Sequence, residues 1–239
     1  MVKYKINLFE GEIFMKLISI QIALFTEKSI SRPDLVYNNI NEKLGDIFND
    51  MPMIVNLPAD VPADVPRVQA KSENGNFSLN VSLNRVDFFV NPEVDLQLSP
   101  DDALKIYKSK LEKYYKSVTS ALNIIRVGVI LTLFEQTESN VKQIFEKYCT
   151  EKYTLGYSEI TYRTNEQTMY NNLLINNIKL VESGEMHHKN AGFSGKGVLV
   201  QLDTNNIPQI QKRLNNEEIS DIFGLAIEKI KPKAVKELI

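Results

Sequence analysis

The sequence predicts an α+β fold: a mainly antiparallel sheet with two long amphipathic helices packed on one face. Three observations point there. Ile18, Ile20, Ile22 and Leu24 alternate with Ser19, Gln21, Ala23 and Phe25, and Phe77, Leu79, Val81 and Leu83 alternate with polar residues; such strands bury one face and wet the other. Leu104, Tyr107, Leu111, Tyr114, Val118 and Ala121 instead recur at spacings of three and four, the stripe of an amphipathic helix. The remaining candidate strands come in meander-like runs with few, long helices between them, the pattern of helices segregated to one side of a sheet.

Taken in order, residues 1–14 read as a further strand or an arm, with Met15 as a second potential start. Ser31-Arg32-Pro33-Asp34 resembles a capping box opening a helix through Val36, Ile40, Leu44, Ile47 and Phe48, ended by Asn49-Asp50-Met51-Pro52. A tandem Pro-Ala-Asp-Val follows at residues 58–66. Its prolines forbid helix and central strand, so an extended, polyproline-like connector is expected, with a docking segment as the alternative. Asn74-Gly75 marks a hairpin. The apolar phase then slips at Asn84-Arg85, to Val86, Phe88 and Val90, which requires a bulge or a turn. Ser99-Pro100-Asp101-Asp102 is a strong helix start. That helix leads into Ile125 through Phe134, apolar on both faces and hence a central strand.

Val141, Ile144, Phe145 and Tyr148 suggest a shorter helix. Strands at 155–163 and 169–180 flank a turn at Thr164-Asn165-Glu166-Gln167, and Val198, Val200 and Leu202 mark another strand. A last helix opens at Asn216-Glu217-Glu218 and is stopped by Pro232. Residues 1–135 and 136–239 look alike in outline and together form one compact unit.

Composition narrows the function. Hydrophobic residues make up 43% and charged residues 24%, the mix of a globular chain and not of a disordered one. A net charge of −2 argues against a whole-surface nucleic-acid binder. One cysteine excludes an internal disulfide and fits a reducing compartment; no apolar run is long enough to span a bilayer, so a cytoplasmic protein without a membrane role is expected. Two histidines, both in one place, a lone cysteine and no tryptophan leave little for hydrolytic, redox or zinc chemistry. The expectation leans against an enzyme, with no catalytic residue, metal or cofactor assigned.

Several binding candidates remain. Lys105, Lys108, Lys113 and Lys116 lie on the polar side of the long helix beside Tyr115, as tracking a nucleic-acid backbone would require; a solvated helix face is the preferred reading. Arg126 interrupts an apolar strand and must pair or reach the surface, either as an anchor for an anion or, preferably, in a structural ion pair. His187, His188, Lys189 and Lys196 fall in a long polar loop spanning 182–197, expected to be mobile. Its glycines at 192, 195 and 197 do not follow the phosphate-loop pattern, because Asn190 stands where a glycine is needed. Asp87, Glu93, Asp95, Asp101 and Asp102 cluster in sequence, but the last two are explained by helix capping. Cys149 has no local base.

This order is similar to a sporadically distributed, uncharacterised family of bacterial proteins in which a mid-chain helix leads into a strand bearing Arg-Val/Ile-Gly-Val/Leu, usually continued by Arg-Tyr. Arg126-Val127-Gly128-Val129 matches, with Ile130-Leu131 in place of Arg-Tyr. The strand Gly197 through Thr204 and a terminal helix containing Phe223 match in outline. The resemblance spans most of the chain and implies no assigned activity; the sporadic distribution implies carriage on mobile elements and a role in phage–host conflict. The expectation is a non-enzymatic interaction protein, a subunit of a larger, defence-related assembly or a homodimer. The alternatives are a nucleic-acid-binding or magnesium-dependent processing protein using the lysine face, and a small-ligand binder.

Overall fold

The computed structural model describes residues 15–238 except 59, 93–97, 152, 154–155, 189–192 and 209–211. The described strands form one antiparallel sheet. β1 (Lys16–Thr26) holds the middle. On one side follow β5 (Arg85–Val90), β4 (Phe77–Val81), β3 (Val68–Lys71) and the two-residue β2 (Met53–Ile54). On the other lie β6 (Ile124–Gln136), β9 (Phe193–Asn206), β8 (Leu173–His188) and β7 (Thr161–Tyr170). The helices are α1 (Pro33–Leu44), α2 (Pro100–Thr119), α3 (Asn140–Tyr148), α4 (Asn216–Glu228) and the short α5 (Pro232–Lys236). α2 packs on β1 and β5, α4 on β6 and β9, and the two helices touch each other. No described helix is long and apolar enough to cross a membrane.

Register explains the core. Leu79, Phe88, Ile22, Val129 and Thr204 stand side by side across five strands, and all are buried. α2 brings Leu104, Leu111, Tyr114 and Val118 into the same cluster, and α4 brings Ile219, Ile222, Phe223 and Ala226. Phe88 sits among the rings of Phe48, Phe77 and Tyr114, at 5.9, 6.0 and 4.9 Å. Tyr114 donates its hydroxyl proton to the Val86 carbonyl at 2.8 Å, so even the deepest polar atom of α2 is satisfied.

Local chemistry sets the boundaries, and several differ from the sequence expectation. α1 stops at Leu44 because Gly45 adopts a left-handed φ of 79° and closes the helix on Glu42, leaving Ile47 and Phe48 beyond it. No side chain caps its start; Arg32 pairs with Asp34 instead. The Pro-Ala-Asp-Val tandem is not polyproline-like: each copy closes a turn, Val61 N–H on Pro58 O and Val65 N–H on Pro62 O, both at 3.2 Å. The slip after β4 is a short turn at residues 82–84. α2 begins as expected, with Ser99 Oγ accepting from Asp102 N.

Residues 164–167 are no turn; they run through the middle of β7, and the chain reverses at Asn171-Asn172, with φ of 46° and 63°. Those positive angles are the mark of a tight hairpin turn, which asparagine tolerates. The stretch 182–197 is mostly the paired ends of β8 and β9, not a loop. Pro232 ends α4's neighbourhood but also opens α5, in keeping with proline's tolerance for a first helical turn. Residues 1–14, Glu93, Asp95, Lys189 and Gly192 lie outside the described residues.

Candidate binding face

Between the core residues of each strand lie side chains that the pleat turns to the opposite face. By register, Asn80, Asp87, Ala23, Gly128, Asn205, Asn176 and Gln167 form one row across seven strands. Gln21 Nε2 and Arg85 Nε donate to the two oxygens of Asp87 at 2.9 and 2.7 Å. Burial pushes the Asp87 carboxyl up, and Arg85 and Gln21 pull against it.

Beyond Ala23 and Gly128 the amides form a chain. Gln167 Nε2 donates to Asn176 Oδ1 at 2.9 Å, Asn176 Nδ2 to Asn205 Oδ1 at 3.0 Å, and Asn205 Nδ2 to Asp203 Oδ1 at 3.0 Å. Asn205 is fully buried. Its neighbour Asn206 turns the other way and continues the ladder with its side chain, accepting from Val127 N and donating to Ile125 O.

Arg126 joins the two groups. It flanks Phe25 on one side as Arg85 does on the other, with guanidinium carbons 5.0 and 5.4 Å from the ring centre. Its terminal nitrogen donates to Asn205 Oδ1 at 3.2 Å. Its Nε is buried with no hydrogen-bond partner. The expected structural ion pair is therefore absent among the described residues: an amide and a ring hold Arg126, whereas Arg85 is the one paired with a carboxylate. Donors and acceptors are fixed here, but no nucleophile stands beside a base.

The other candidates do not join this site. Lys105 is held by Asp101 and Asp102 at 2.8 and 2.9 Å, which keep its ammonium above the usual range and neutralise it. Lys108, Lys113 and Lys116 are exposed. Tyr115 is buried in the core, so it cannot stack beside them as the sequence suggested. His187 is exposed, with Nδ1 2.5 Å from Ser194 Oγ across the ribbon. His188 lies beside it on β8. Lys196 sits at the opposite end of β9 from Asn205 and lines an open cleft of about 660 Å³ with Ser139, Lys142, Tyr153 and Tyr157. Gly197 is explained by close packing: a Cβ there would approach Phe134 Cζ to 2.3 Å. Among the described residues no group of three His, Cys, Asp or Glu could hold a metal ion.

Sequence reasoning singled out Arg126 and missed Phe25, Arg85, Gln21, Asn205 and Asn176. The adjacent Asn205-Asn206 at a strand end was the one available signal. No family model and no curated protein matches the chain.

Proposed function

We propose that the protein is a non-enzymatic binding module that docks another protein on the polar face of its sheet. The observation that carries this is Arg126: a part-exposed guanidinium pre-oriented on Phe25 and held by the Asn205 amide, with no carboxylate paired to it among the described residues. A carboxylate from a partner would balance that charge. In this reading α2 and α4 back the apolar face of the sheet and leave the polar face for recognition. The two parts of the chain repeat one plan, which the matching orders β3-β4-β5-β1 and β7-β8-β9-β6 support. The resemblance carried by Arg126 through Val129 favours a subunit of a defence-related assembly.

A polyanion suits the face less well, because Arg85 is neutralised by Asp87 and Asp203 stands next to Asn205. The test is recovery of partners from the native host after nuclease treatment, followed by affinity measurement. A stoichiometric protein should bind, and Arg126→Gln should weaken it at least ~tenfold with unchanged circular dichroism. Recovery of nucleic acid with steeply salt-dependent affinity, lost on changing Lys108 and Lys113 to Glu, would replace this reading with one centred on α2.

A further inference from the structure

The two edges of the sheet are finished differently. β2 is two residues long and runs into the segment carrying Pro58, Pro62 and Pro66, residues without an N–H to offer. That edge is blunted in the usual way. β7, at the other edge, pairs with β8 over ten consecutive positions with no register shift, and it contains no proline, glycine or lysine. Its outer N–H and C=O groups have no strand beside them among the described residues. Met169 and Tyr170 at its end are exposed. Such an edge is a template for another strand.

We infer that β7 pairs antiparallel with β7 of a second copy of this chain, about a two-fold axis at Asn165, joining two sheets into one. The residue order selects this occupant. With the axis at Asn165, that residue faces its own copy, Arg163 faces Gln167, Thr164 faces Glu166, Tyr162 faces Thr168 and Thr161 faces Met169. No like charges meet, and every residue keeps its face of the sheet. Centring the axis on Glu166 would oppose two carboxylates; shifting by half a step would turn the polar row against the apolar one. Arg163 forms no ion pair among the described residues and gains the Gln167 amide, so the row Asn205–Asn176–Gln167 continues into the partner. An isologous contact closes on itself, and the blunted β2 edge ends the assembly at two.

The full chain should sediment at twice its 27.3 kDa. Asn165 is exposed, and its side-chain bond to Asn176 is long at 3.5 Å, so replacing it leaves the fold intact. Asn165→Lys and Asn165→Glu should each give monomers with wild-type circular dichroism, because each sets like charges opposite at the axis. Mixing the two variants should restore a dimer containing one of each. Met53→Lys at the other edge should leave the dimer unchanged. A wild-type chain that stays monomeric at ~100 µM, an Asn165→Lys chain that still dimerises, or a mixture that stays monomeric would each overturn the inference.

Discussion

The two faces of β1 and β6 are built from alternate residues of the same strands, yet they are held by different physics. On one face Ile20, Ile22, Leu24, Val127, Val129 and Leu131 fill space against helices. On the other, Gln21, Phe25, Arg126 and their neighbours are tied by directed bonds. A packed face tolerates changes of shape in proportion to the volume lost. A bonded face tolerates almost any change that leaves no group stranded and few that do. Five substitutions sharpen or break that contrast.

The largest effect belongs to the packed face. Phe88→Ala removes a fully buried ring that touches three others and should cost ~3–5 kcal/mol in urea unfolding. A loss under ~1 kcal/mol would mean that the cluster is not close-packed there. Asn205→Ala comes next, at ~1–3 kcal/mol, since it strands Arg126 and Asn176 together. Asn205→Ala combined with Arg126→Ala should cost less than the sum of the two single changes, which a double-mutant cycle reads directly.

Glu135 runs against the pattern. It lies on the packed side, opposite Val198, and its Oε2 is buried without a partner, as is Oε1 of Gln143. Burial pushes its carboxyl up, so between the unfolded and native values the native state binds more protons than the unfolded chain. Stability contributed by this group is therefore present at low pH and lost as pH rises from the unfolded carboxylate range through the native value. Glu135→Gln supplies an N–H for Gln143 and should stabilise the protein by ~1 kcal/mol at pH 7 while flattening that fall. Destabilisation at pH 7 would mean that a buried cation or water satisfies the carboxylate.

A second titration concerns Lys229, whose ammonium burial pushes down to about 8 against the pull of Asp203 and Glu166. Between that value and 10.5 the unfolded chain binds more protons than the native one, so stability rises with pH across this window. Lys229→Met should remove the rise; its persistence in thermal scans would assign it to another group.

How far the sequence was legible follows the same division. β1, α2 and β6 were recognisable because burial on one face imposes a period of two, or of three and four, on neighbouring residues. β7 was not: at the edge both of its faces meet water, no period is imposed, and its polar middle imitates a turn while Asn171-Asn172 does the turning. Two turns replaced the expected extended connector because i to i+3 bonds leave proline's missing N–H unused. At the site, Arg126 stood out as a cation in an apolar strand. Its partners did not, since Asn205 lies 79 residues away and only the register brings it alongside.

β8 and β9 outrun their neighbours: Thr161 opposite Glu182 is where β7 begins, and Gln136 opposite Gly197 is where β6 ends. From Glu185 opposite Lys196 to His188 opposite Phe193, no third strand pairs with either among the described residues. An isolated two-stranded ribbon is marginal in water. In heavy water, the amides of β8 between Ile175 and Val181 should therefore take up deuterium only with global opening, while those from Glu185 onward exchange orders of magnitude sooner. A single continuous strand would thus carry both the slowest and the fastest clocks of the sheet.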